Sequence, residues 1–172
     1  MNSVKKSLYT IPLKGAGSAA EGVFQFDIDS HFFNRYEGSE ILEAQVEVSS
    51  ILKEEYGVIE IESFFKGTIV STCDLCLERV TFPIEFSNLL LVKSSTSEEC
   101  DDQSEVLYIT KNEKEVDMAQ YFYDLLYLSL PVQRRHPTGE CNLEMLKKFE
   151  EIRVDRSVDI PSPFEKLKDI FN

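Results

Sequence analysis

From Leu42 to Val92 apolar and polar side chains alternate with a period of two, a pattern that only long, half-buried strands satisfy. Leu42, Ala44, Val46, Val48 and Leu52 fall on one face of the first run, with Glu43, Gln45, Glu47 and Lys53 on the other. Residues Glu54 to Gly57 read as a turn. Beyond it Ile59, Ile61, Phe65 and Ile69 share a face opposite Glu60, Glu62, Lys66 and Thr68, so the two runs form an antiparallel hairpin. A third run places Val80, Phe82, Ile84, Phe86, Leu90 and Val92 against Arg79, Thr81, Glu85 and Ser87. The segment Cys73-Asp-Leu-Cys76 then joins two strands at one end of a sheet.

Shorter runs at Val4 to Leu13, Val23 to Ile28 and Val106 to Thr110 add further strands. Lys93 to Glu105 (KSSTSEECDDQSE) is acidic, Ser-rich and almost without apolar residues, and reads as a mobile loop. Asp117 and Gln120 resemble a capping box that opens a helix through Tyr121, Phe122, Leu125, Leu126, Tyr127, Leu128 and Leu130, stopped by Pro131. Apolar residues cover most of that helix's circumference, which predicts a buried core helix. A second helix follows Cys141, with Asn142 as its cap and Leu143, Leu146 and Phe149 on one stripe. In the tail, Ser162, Pro163 and Glu165 satisfy helix-start rules ahead of Phe164, Leu167 and Phe171. That short helix has an apolar face with which to dock.

Two thiols on one tight turn, Cys73 and Cys76, and His136 with Cys141 after the first long helix offer four ligands suited to tetrahedral zinc. Two other readings stand beside it. The cysteines can be small buried hydrophobes with His136 in solvent, or the C-x-x-C pair can be redox-active, although it lacks the strand-to-helix setting that activates such a thiol. Cys100, set among Glu98, Glu99, Asp101 and Asp102, is expected to be a poorly reactive thiol.

With 31 acidic residues against 18 basic ones, the formal charge of −13 opposes broad contact with a phosphate backbone. The densest positive spot is Arg134, Arg135 and His136, with Lys147 and Lys148 nearby, and any RNA contact is expected to be local to Arg134 and Arg135. A solvated loop balancing nearby acids is the competing reading. The N-terminus shows no signal-peptide pattern and no stretch is long and apolar enough to span a bilayer, so a cytoplasmic protein is expected. There are two histidines, seven glycines, no phosphate-cradling loop and no H-E-x-x-H spacing, which argues against an enzyme.

The ordered set CDLCLER from Cys73, DMAQYFYDLLYLSLP from Asp117, His136 with Cys141, and PSPFEKL from Pro161 resembles the YceD family of large ribosomal RNA subunit accumulation proteins. The resemblance implies a non-enzymatic bacterial factor in ribosome assembly or precursor processing, with a ribosomal protein or large-subunit precursor as partner. Cys73, Cys76 and Cys141 match family cysteines, and His136 matches a histidine of some members. The chain departs from members that carry a second cysteine pair after the helix. The expected architecture is α+β: a mainly antiparallel sheet or partial barrel with a buried helix and a short C-terminal helix. Residues 1–150 form one domain and 151–172 a tail with a docking helix. The alternative is a protein-interaction adaptor unrelated to ribosomes, with a structural zinc site.

Overall fold

A computed structural model describes residues 8–13, 22–55, 58–95, 106–110 and 113–152. The elements run β1 (Thr10–Pro12), β2 (Gly22–Asp29), α1 (Ser30–Phe33), β3 (Ile41–Glu55), β4 (Val58–Thr72), β5 (Arg79–Ser95), β6 (Val106–Thr110), β7 (Glu115–Asp117), α2 (Ala119–Leu128) and α3 (Leu143–Ile152). The fold is α+β. Five strands form an open sheet in the order β2-β3-β4-β5-β6, and β1 pairs with β7 in a separate two-stranded sheet. The first four strands are antiparallel neighbours, whereas β6 runs parallel to β5. Among the described residues the sheet does not close into a barrel.

The three long alternating runs become β3, β4 and β5, with Glu54 inside β3 and the strand pairing continuing to Glu55↔Val58. Their inward faces bury Val46, Val48 and Leu52, then Ile61, Phe65 and Ile69, then Val80, Ile84, Leu90 and Val92. One position departs from simple alternation. The register steps from Ile41↔Ser71 to Glu43↔Val70, so β3 carries an extra residue there; this bulge turns Ile41 inward and leaves Leu42 46% exposed. Gly67 marks a close approach between strands, since a Cβ on it would stand 2.1 Å from the Gln45 carbonyl oxygen.

One face of the sheet is covered by α1, the β1–β7 pair and α2. Asp29 caps α1 by accepting hydrogen bonds from the amides of His31 (2.9 Å) and Phe32 (3.2 Å), which sends Phe32 and Phe33 into the core. Phe122 of α2 enters the same core, with ring centroids 5.3 Å from Phe26, 5.6 Å from Phe65 and 6.4 Å from Tyr9. Ser50 and Ser63, buried on β3 and β4, satisfy each other as a hydroxyl pair at 2.8 Å.

Helix α2 buries one stripe, Phe122 and Leu126, while Leu128 is exposed. Its capping box does not form: Asp117 accepts from the Ala119 backbone amide at 2.9 Å, but Gln120 Nε2 donates forward to Asp124 (2.8 Å). In α3, Asn142 caps as expected, accepting from Glu144 and Met145, but the helix lies on the surface with Leu143, Phe149 and Ile152 exposed. The expected loop from Lys93 begins later, because β5 continues to Ser95. The remainder of that loop with Cys100, the N-terminal part of the first strand (residues 4–7) and the tail helix at 162–171 lie outside the described residues. No described helix is long and apolar enough to cross a membrane.

Candidate metal centre

Strands β4 and β5 are joined by a knuckle, Cys73 to Glu78, that the chain closes with its own backbone. The Cys73 amide donates to the Glu78 carbonyl (2.7 Å) and the Leu77 amide to the Cys73 carbonyl (3.0 Å). Closing so tight a turn requires a left-handed residue just after the second cysteine, and Leu77 takes that role at φ 62°. A leucine there costs roughly 1–2 kcal/mol relative to ordinary backbone, because its Cβ crowds the following carbonyl oxygen. The side chain stands out in solvent, 66% exposed.

The second half of the cluster comes from the segment after α2. The sequence expectation brought together Cys73, Cys76, His136 and Cys141, and their ligand atoms all lie within 4.8 Å of one another. Cys73 Sγ is 3.9 Å from Cys141 Sγ, and His136 Nδ1 is 3.4 Å from Cys76 Sγ and 3.8 Å from Cys141 Sγ. Tetrahedral geometry with Zn–S bonds of about 2.3 Å and a Zn–N bond of about 2.05 Å sets sulfurs about 3.8 Å apart, and sulfur and nitrogen about 3.5 Å apart. The Cys73–Cys141, Cys76–His136 and Cys141–His136 separations are close to those values, and every pair lies within 4.8 Å. Cys73 and Cys76 are buried, whereas His136 and Cys141 are partly accessible.

The imidazole is held from behind. His136 Nε2 lies 3.0 Å from the Arg79 carbonyl oxygen, an acceptor only, so Nε2 carries the proton and donates. Nδ1 therefore presents its lone pair to the three sulfurs, the arrangement in which an outer hydrogen bond fixes the tautomer of a ligating histidine.

The thiols differ in acidity. Burial alone would raise Cys73, but the backbone amides of Cys76, Leu75 and His136, with the His136 imidazole, act on its sulfur and bring it down to about 6. Cys141 goes the other way: burial, hydrogen bonding to Cys73 and Cys76, and their charge push it up to about 11. His136 is raised, chiefly by its hydrogen bond to Cys73. One sulfur ionises readily and another resists joining it, which is the electrostatic state of a thiolate set that a dication would complete. Four protein ligands leave no coordination position for water, so such a centre holds structure rather than activating a nucleophile.

A small apolar cluster surrounds the site. Cys73, Cys76 and Val80 are buried together, with Leu75, Phe82, Cys141 and Met145 packed against them. This cluster is distinct from the main core. Met145 places the first turn of α3 beside the ligands, and the Asn142 side-chain amide donates to Glu78 of the knuckle.

The positive spot beside the site divides. The Arg134 side chain is 20% exposed and paired with Glu40 and Asp74, whereas Arg135, Lys147 and Lys148 are exposed. Arg134 is therefore turned inward rather than offered to solvent. Sequence reasoning did not identify Asp74 or Glu40, and the only signal for Asp74 was its place inside the C-x-x-C turn. His31 sits exposed on α1, away from the cluster.

Residues 61–171 match the family model described as "Large ribosomal RNA subunit accumulation protein YceD". That span contains all four members of the cluster. No curated protein and no solved structure matches the chain.

Proposed function

The chain belongs to the YceD family, and from that premise we propose that it is a non-enzymatic cytoplasmic factor supporting large-subunit ribosomal RNA accumulation through ribosome assembly. Its structural zinc ion is held by Cys73, Cys76, His136 and Cys141. The observation that carries the functional part is the family match over 61–171. The zinc part is carried by the donor set and its separations. Zinc would tie the β4–β5 knuckle to the segment after α2, so ligation contributes to folding.

Recruitment runs through a protein partner, a ribosomal protein or a large-subunit precursor particle. A chain of net charge −13 gains little from broad RNA electrostatics. The inward pairing of Arg134 leaves Arg135 as the nearby residue for a local phosphate contact. An adaptor role unrelated to ribosomes is the second reading, favoured by the exposed apolar residues Leu143, Phe149 and Ile152 on α3.

Deleting the gene is expected to lower large-subunit relative to small-subunit ribosomal RNA. An unchanged ratio under slow and fast growth refutes the assembly role, and failure to co-sediment with large-subunit precursors favours the adaptor. Elemental analysis is expected to find about one zinc per chain, against less than about a tenth in Cys73→Ser.

A further inference from the structure

The two halves of the metal cluster are built differently. Cys73 and Cys76 sit on a knuckle closed by its own hydrogen bonds, whereas His136 and Cys141 lie on the irregular stretch between α2 and α3. Something must fix that stretch against the knuckle, or ligation would have to supply its whole ordering entropy.

We propose that Arg134 is the positioning residue of the metal centre, locking the His136 segment to the C-x-x-C turn through Asp74 and to the rest of the fold through Glu40. This rests on the metal reading above. The backbone makes the first lock: the Asp74 amide donates to the Arg134 carbonyl and the Arg134 amide to Asp74 Oδ2, both at 2.7 Å. The guanidinium makes the second, with Nη2 3.2 Å from Asp74 Oδ1 and Nη1 paired with Glu40 Oε2. Glu40 is itself held. Its Oε2 accepts from the Tyr127 hydroxyl at 3.0 Å, and its carbonyl accepts from Ser71 Oγ at 3.0 Å.

The clamp thus joins the end of β4, the knuckle, the approach to β3, the last turn of α2 and the ligand-bearing loop. Only Arg135 separates Arg134 from His136, so fixing the one confines the other to within about 7 Å, two steps along the chain. The planar fork is what the site uses, because one Arg134 nitrogen meets Asp74 while another meets Glu40. A lysine supplies the charge as a single point and does not reproduce that fork.

The test is cobalt(II) binding to the full chain, with affinity measured by chelator competition and the coordination read from the visible bands. Wild type is expected to give a tetrahedral, thiolate-rich spectrum. Arg134→Ala and Arg134→Lys should reach the same spectrum at saturation with affinity roughly 10- to 100-fold lower, the order expected when the support that orients ligands is lost, here through Asp74 and Glu40 rather than a direct bond to a ligand. Exposed Lys66→Ala, on β4, should match wild type.

Folding is checked by circular dichroism on the metal-free chains. A purely structural role would lower the apo melting temperature while leaving the affinity of the folded fraction unchanged. That result, or wild-type affinity in both Arg134 variants, overturns the positioning role and leaves the metal reading intact. Should Arg134→Ala fail to fold, Arg134→Lys alone decides. No cobalt uptake by wild type overturns the metal reading and this inference with it.

Discussion

Replacing Phe122 by alanine tests whether α2 is held to the sheet by one aromatic anchor. Its side chain is fully buried, and its ring meets Phe26 of β2, Phe65 of β4 and Tyr9, the residue just before β1. Truncation removes a large apolar side chain and leaves a cavity walled by two hydrogen-bonded strands, β2 and β4, and by Tyr9, which relaxes little. Losses of about 3–5 kcal/mol are usual for such a site. For a chain of this size each kcal/mol moves the melting temperature by roughly 2–4 °C, so a loss near 4 kcal/mol lowers it by about 8–16 °C. In urea, at a slope of about 2 kcal/mol per molar, the midpoint falls by about 2 M. The control is Leu128→Ala, which removes an exposed side chain from the same helix and should cost less than about 0.5 kcal/mol. A Phe122→Ala loss below about 1.5 kcal/mol, or equal losses in the two variants, would refute the anchor.

Gly67→Ala should destabilise by about 3 kcal/mol or more, because the new Cβ meets the Gln45 oxygen and the Val46 Cα, both backbone atoms; a urea midpoint within error of wild type would contradict the close packing of β3 on β4. Leu77→Gly should stabilise the metal-free chain by about 0.5–1 kcal/mol, the relief of a left-handed leucine less the extra freedom of glycine when unfolded. A lower melting temperature would show that the exposed leucine contributes contacts of its own. For pH, Arg134, then Tyr127, hold the Glu40 carboxyl below its ordinary 4.5. A depressed acid stabilises fully above its unfolded value and loses that contribution as pH falls through the lower folded one. The melting-temperature gap between wild type and Glu40→Gln should therefore be constant above about pH 5.5, one unit above that ordinary value, and shrink below pH 4.5; a gap independent of pH refutes the clamp's charge.

Period-two patterning made β3, β4 and β5 legible, and with them the knuckle that carries Cys73 and Cys76, because long strands bury one face along their whole length. The same periodicity has no means of registering an inserted residue, so it put Leu42 inward where the bulge at Ile41/Glu43 turns it out. Helix α1 has four residues and β7 three, too few to show any period. The parallel pairing of β6 depends on long-range chain routing, which the side-chain pattern of VLYIT does not encode. Apolar residues around α2 implied burial on all sides, but the sheet covers one side, so Leu128 stays outside. The four candidate ligands could be read from residue type and spacing. Arg134's part could not, since its partners Glu40 and Asp74 are 94 and 60 residues away in sequence.

The separate apolar cluster around Cys73, Cys76 and Val80 bears on how this molecule can change over time. Among the described residues its buried members belong to a different packing unit from the sheet's main core, so a substitution in one need not be answered by a compensating one in the other. The knuckle end is a separately packed fixture on the sheet that carries it. A change of ligand type at the knuckle, histidine for cysteine, is therefore expected to leave the pairing of the strands that present it and their hydrophobic interior in place.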